Sequence, residues 1–226
     1  EEVEQAILMA QAKQYEAPKE EKVPSRLMSK LPKKGKIVSE KEVSNGYREF
    51  LLSNGMRVYA RSTDFKSDYV SMYLFSPGGK NVYPDSDMPS MQYLPSVIGS
   101  SGVADFSERT LEKMLAGKQV SVSPYLSDET EGMRGSSSMK DFETLMQLTH
   151  LYFTSPRRDE TAFKSLMNRQ ASFLTNRDAN PSVQYNDFVV SILYGNHPRQ
   201  APVKKDDLSK VSLDRILQIY TERFSN

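Results

Sequence analysis

Apolar positions change their period along the chain, and the changes mark its elements. Phe50 and Leu52, then Met56, Val58 and Ala60, alternate with Arg57, Tyr59 and Arg61 around Asn54-Gly55, which predicts a β-hairpin over Tyr47 to Arg61. Val70, Met72 and Leu74 alternate with Ser71 and Tyr73 in a third predicted strand, Tyr69 to Phe75, which ends at Ser76-Pro77-Gly78-Gly79. Lys118 to Leu126 alternates again, with Val120 and Val122 set against Gln119, Ser121 and Ser123. A polar turn, Ser127 to Glu131, leads to the small-residue stretch Gly132 to Ser138.

The other periods are helical. Ser107 caps Glu108 to Ala116, with Leu111, Met114 and Leu115 on one face and Gly117 at the left-handed stop. Ser137 or Ser138 begins a helix to Phe153 with Asp141 in its first turn and a stripe of Phe142, Leu145, Met146, Leu148, Leu151 and Tyr152. Asp159 caps Glu160 to Leu174. Asn180-Pro181 opens a helix carrying Tyr185, Phe188, Val189, Ile192 and Leu193, and Ser212 a last one carrying Leu213, Ile216, Leu217, Tyr220 and Phe224. Met88 to Gly99 reads as a helix that Pro95 bends or shortens. Hairpins first and helices mostly later predict an α+β two-layer domain, a mainly antiparallel sheet with helices on one face.

Two stretches precede that domain. Glu1 to Ala17 can be helical but needs a partner. Pro18 to Lys36 holds three prolines, Gly35 and seven basic residues against two Glu, the composition of a solvated linker. The boundaries expected are residues 1–38 for tail helix and linker, and 39–226 for the domain. The first residue is Glu and not Met, consistent with a mature form or an excised piece of a longer protein.

Composition narrows the function. A chain of 226 residues, 38% of them hydrophobic, can bury a sizeable core. A net charge of +1 argues against nucleic acid as a partner. Without cysteine there is neither disulfide, thiolate metal site nor cysteine nucleophile. No apolar run reaches the roughly 18–20 residues of a membrane span.

Residues able to carry chemistry are few. His150 falls on a helix with Glu143 two turns earlier, too few ligands for zinc, which takes at least three from the protein. His197 sits in a Gly-Asn-His-Pro loop with no nucleophile context. Gly78-Gly79 and Gly99 to Gly102 lack the spacing and lysine of a phosphate loop.

Taken together, Leu52-Ser53-Asn54-Gly55-Met56-Arg57-Val58, Phe75-Ser76-Pro77-Gly78-Gly79, Leu115 to Tyr125, Glu131 to Ser138 and Leu148 to Pro156 resemble, in that order, the insulinase or pitrilysin family of zinc metallopeptidases, the inverzincins, over about residues 39 to 226. The likeness is to the second, noncatalytic half of a bacterial two-half member. It implies a fold of the mitochondrial-processing-peptidase type, in which an active domain carries His-x-x-Glu-His on the helix after the third strand, with a downstream Glu, and the halves enclose a peptide. Here that helix reads Met91-Gln92-Tyr93-Leu94-Pro95-Ser96, and the third-ligand helix Phe163-Lys164-Ser165-Leu166.

The resemblance therefore implies no catalytic residue and no metal ligand in this chain, with zinc in a catalytic domain elsewhere in the parent. It implies a strand, Val120, Ser121, Val122, Ser123 and Tyr125, placed where an active domain offers an edge to a peptide. The implied partners are other domains of the same parent chain and a peptide substrate, in the periplasm or a secreted setting. The alternative is a peptidase-like binding or assembly module whose parent has no proteolytic activity.

Overall fold

A computed structural model describes residues 3, 5, 7–9 and 23–224. Most of the helix expected over Glu1 to Ala17 lies outside the described residues; Val3, Gln5 and Ile7 to Met9 are helical. In chain order come β1 (Ile37–Val43), β2 (Tyr47–Leu52), β3 (Arg57–Ala60), β4 (Val70–Pro77), α1 (Met88–Ser101), α2 (Glu108–Met114), β5 (Val120–Leu126), β6 (Thr130–Ser137), α3 (Phe142–Thr154), α4 (Glu160–Asp178), α5 (Pro181–Leu193) and α6 (Leu213–Phe224). The architecture is α+β, with helices packed on antiparallel strands, but the strands form two three-stranded sheets, ordered β1-β2-β3 and β4-β6-β5.

The first sheet contains a strand that the apolar pattern does not reveal. In β1 every residue but Val43 is exposed, so there is no buried face to impose alternation. Pairing and charge hold it instead: Lys41 reaches Glu49 on β2 at 3.2 Å, and Arg57 on β3 approaches the same carboxylate at 3.9 Å. Tyr59, and after it Lys41, keep the Glu49 carboxyl below the usual carboxylate range. Ser44-Asn45-Gly46 turns β1 into β2 with Asn45 and Gly46 at φ of 61° and 72°. Ser53-Asn54-Gly55 makes the next turn, a three-residue loop in which Gly55 at φ 86° donates to Leu52 O at 2.9 Å. No hydrophobic residue of this sheet is fully buried.

The second sheet carries the core. Its register places Val70, Met72 and Leu74, then Met133 and Gly135, then Val120, Val122 and Leu126 on one face, and α1 and α3 pack against it. α1 is the centre: Met91, Leu94 and Val97 are wholly buried, and the helix runs through Pro95 to Ser101, longer than expected. α4 and α6 pack on its other sides. The Tyr220 hydroxyl on α6 donates to Tyr152 O on α3 at 2.8 Å, and burial pushes that phenol far above the usual tyrosine range.

Three caps stand as the sequence predicts. Ser107 accepts from Thr110 N, Asp159 from Ala162 N and Asn180 from Ser182 N. The start of α3 differs. Residues Ser138 to Asp141 form a turn and the helix begins at Phe142, because the Asp141 carboxylate is taken by the Gln119 N–H and the Ser138 hydroxyl, each at 2.9 Å. Asp141 thus ties the beginning of β5 to the entry of α3, and those hydrogen bonds hold its carboxyl below the ordinary carboxylate value. The other surprise is α5. It forms as the period predicts, yet none of its residues is buried, and Tyr185, Phe188, Ile192 and Leu193 are exposed.

Candidate functional site

The resemblance drawn from the sequence would put a metal at the contact between α1 and α4, the helices that stand for its zinc-motif and third-ligand helices. Here the contact is apolar: Met91 and Leu94 from α1 meet a cluster that includes Leu166, Phe163 and Met167 of α4. Among the described residues no three His, Cys, Asp or Glu side chains lie close enough together to hold a metal ion. Zinc does not fit these residues, and no metal-dependent step can be built on them.

Neither histidine forms a catalytic pair. On α3, Glu143 accepts from Gln147 at 2.9 Å, a bond within its own helix. His197 Nδ1 accepts from the Arg199 N–H at 3.2 Å, a bond internal to its loop. His197 borders two clefts, one of about 300 Å³ lined by Phe188, Ser191, Ala201 and Pro202, and one of about 560 Å³ lined by Ser127, Asp128, Glu129 and Thr130. The two aspartates that line them are committed to structure. Asp187 pairs with Arg177 at 2.6 Å, and Asp128 with Lys80 at 3.3 Å. Arg199 reaches Asp85 at 2.8 Å and Tyr83 O at 2.6 Å, strapping the loop after α5 to the segment before α1.

The strand singled out from the sequence, β5, lies at one edge of the second sheet. Its residues divide between two faces. Val120 and Val122 lie on the face toward the helices, whereas Ser121, Ser123 and Tyr125 share the opposite, helix-free face, on which none of the described helices packs. The pairing at Ser127 and at Gln119 fixes which backbone groups bond to β6, leaving those of Val120, Val122, Pro124 and Leu126 directed outward. Pro124 has no N–H, so an added strand would lose a donor halfway along this edge. Any augmentation is confined to the Val120 to Val122 end.

The helix-free face has a chemistry of its own, which the strand periods did not single out. Ser71, Tyr73 and Phe75 from β4, Gly132, Arg134 and Ser136 from β6, and Ser121, Ser123 and Tyr125 from β5 are brought onto it by the register. Tyr73 reaches across β6 to stack on Tyr125, with ring centroids 5.2 Å apart, and also stacks on Phe75 at 5.8 Å. Gly132 stands between Phe75 and Tyr125 in the register, and the close approach of the β4 backbone excludes a side chain there, since a Cβ would fall 1.9 Å from Leu74 O. The Arg134 guanidinium lies 4.9 Å from the Tyr125 ring centre and 5.6 Å from that of Tyr73.

The two phenols titrate apart. Burial pushes Tyr125 up to about 12, with Tyr73 adding to the shift. Tyr73, with Tyr125 facing it and Arg134 alongside, lies below the ordinary tyrosine value. The buried Tyr125 hydroxyl is held against its neighbours without completing a well-formed hydrogen bond. The signal for this cluster was present in the sequence as two aromatics and an arginine on three strands, but only the register assembles them.

No family model matches the chain. Among curated proteins it is 29% identical over 196 residues to a zinc protease PqqL-like protein of Arabidopsis thaliana, covering 85% of this chain and 18% of that one. It is 26% identical over 122 residues to a probable zinc protease PqqL of Haemophilus influenzae, covering 54% of this chain and 13% of that one. The chain thus spans less than a fifth of the length of these relatives. Among solved structures, the periplasmic protease PqqL from Escherichia coli matches with a TM-score of 0.72 at 18% identity, over 98% of this chain and 24% of that one. The ferredoxin protease FusC, in complex with Arabidopsis ferredoxin, gives 0.69 at 19% identity over 99% and 25%. Pitrilysin gives 0.57 at 15% over 84% and 21%.

Proposed function

We propose that this chain, which belongs with the insulinase and pitrilysin family of zinc proteases, is a noncatalytic domain of a larger metallopeptidase that helps to enclose and position a peptide for a catalytic domain elsewhere in its parent. The observation that supports the proposal is the apolar α1 to α4 contact, with Met91, Leu94 and Leu166, on the two helices that the resemblance pairs with a metal-binding member's ligand helices. In the parent, zinc belongs to another domain.

Uncovered apolar surface supports a role inside a larger assembly. Tyr185, Phe188, Ile192 and Leu193 of α5 are exposed, and the first sheet buries none of its apolar residues fully. Such surfaces suit contacts with further domains of the same parent. Residues 1–38 are then the end of a preceding domain and a linker, and 39–226 this domain, although β1 begins two residues before that boundary. A peptide would lie along the Val120 to Val122 end of β5 with Ser121, Ser123 and Tyr125 beside it. The compartment that suits this role is the periplasm or a secreted setting; the E. coli PqqL that it resembles is a periplasmic protease.

Metal analysis and peptide cleavage test the proposal directly. The purified chain is expected to hold no stoichiometric zinc and to leave an unstructured peptide intact. One tightly held zinc, lost on replacing His150 or His197, would overturn it. Reading the parent's complete gene separates a protease from an assembly module, because only the former carries His-x-x-Glu-His.

A further inference from the structure

We propose that the helix-free face of the second sheet binds an extended acidic peptide segment, with Arg134 pairing a carboxylate and Tyr73, Phe75 and Tyr125 taking the neighbouring apolar side chains. The proposal rests on the peptide-facing role argued above and names the class of peptide. Three observations carry it.

The first is charge. Of the residues that the register puts on this face of β4, β6 and β5, Arg134 alone is charged. None of the described carboxylates pairs with it, in contrast to Arg177, Arg199, Arg215 and Arg223, each of which holds an acid within 2.8 Å. An exposed cation that no described carboxylate neutralises selects an anionic guest, and one guanidinium without further basic residues on this face suits a carboxylate better than a polyphosphate backbone.

The second is preorganisation. The guanidinium rests over two rings, so part of its rotameric freedom is already lost before a guest arrives, and a planar fork suits bidentate pairing with a carboxylate. The third is apolar exposure beside the charge. Phe75 is 65% exposed and Tyr73 54% exposed, side by side on this face of β4. The aromatic pair gives a stacking platform, while the hydroxyls of Ser71, Ser121, Ser123 and Ser136 flank it with groups that can bond an extended backbone. An acidic segment with interspersed apolar residues complements all three.

The test uses the 226-residue chain and fluorescein-labelled synthetic peptides of one length: an alternating Glu/Phe peptide, its Gln/Phe isostere and a Ser/Gly peptide, followed by anisotropy. The Glu/Phe peptide is expected to bind about fivefold more tightly than the isostere, and Arg134→Gln to remove that margin, while Arg134→Lys restores part of it. Raising salt should weaken the Glu/Phe peptide alone. Tyr73→Ala should weaken both aromatic peptides. Thermal unfolding of each variant shows that the fold is kept. Equal binding of the Glu/Phe and Gln/Phe peptides, or a margin that survives Arg134→Gln, overturns the acidic site and leaves the enclosing role standing. Failure of the folded chain to bind any of the three overturns both.

Discussion

Glu131 on β6 and Arg223 near the end of α6 form a two-armed ion pair inside the protein: Arg223 Nη2 and Nε donate to Glu131 Oε1 at 2.6 and 3.1 Å. The other oxygen, Oε2, accepts from the Gly79 N–H at 2.5 Å, and Arg223 also donates to Pro77 O at 2.8 Å. This explains the double glycine after β4. A Cβ on Gly78 would stand 1.9 Å from Arg223 Nη2, one on Gly79 would stand 2.5 Å from Asp128 O, and their φ angles are 146° and 66°. The motif is a cradle for an ion pair that joins the second sheet to the last helix.

Because Glu131 is only 1% exposed, replacing it strands Arg223 among groups arranged for a carboxylate. Glu131→Gln is expected to cost about 3 kcal/mol in urea unfolding, and Gly78→Ala on the order of 2 kcal/mol through strain and displacement of Arg223. Combining the two should cost clearly less than their sum, since both act on one pair. Strict additivity would mean that the glycine serves something other than Arg223.

Asp141 gives a pH signature. Its folded pKa lies below the ordinary value of 3.8, so its bonds to Gln119 and Ser138 add stability above that value and lose it as pH falls through the lower folded value. Asp141→Asn should therefore lower Tm by a margin that is flat from about pH 7 to 5 and narrows below about pH 4. A margin unchanged down to about pH 2.5 would show that the carboxylate's charge is irrelevant to the clamp.

The α1 to α4 contact can be challenged with the residue it lacks. Leu94→Ala should destabilise by about 3 kcal/mol, as expected of a fully buried leucine. Met91→His introduces one histidine into α1, yet is expected to lose stability and gain no zinc, because Leu166 and Phe163 in the same contact offer no second ligand. Calorimetric titration that found a stoichiometric site in Met91→His would mean the helices can still assemble a ligand set.

Legibility of the sequence followed burial. Elements with one buried face, such as β4, β5 and α6, announced themselves by period. β1 did not, because it is exposed on both sides and held by Glu49 with Lys41; its one usable sign was a second Ser-Asn-Gly, at 44 to 46, matching the turn at 53 to 55. The start of α3 was misplaced because Asp141 reads as a helix N-terminal acid when only its neighbours are considered, while its partner Gln119 lies 22 residues away. The same holds for the candidate site. β5 could be singled out as a strand, and lies at an edge, but the grouping of Tyr73, Tyr125 and Arg134 depends on the register of three strands.

The exposed stripe of α5 yields the last prediction. Phe188 and Ile192 are 61% and 64% exposed, so in the isolated chain they contribute to solubility and association more than to folding. Phe188→Glu with Ile192→Lys keeps helix-compatible residues at both positions and places opposite charges four apart, a favourable spacing. The double variant is expected to change unfolding free energy by less than about 0.5 kcal/mol. It should also reduce concentration-dependent association in sedimentation velocity, because an uncovered apolar stripe is what drives chains together. A loss above about 2 kcal/mol would show instead that α5 is packed into the body of the domain, and would remove it as a surface for further domains of the parent.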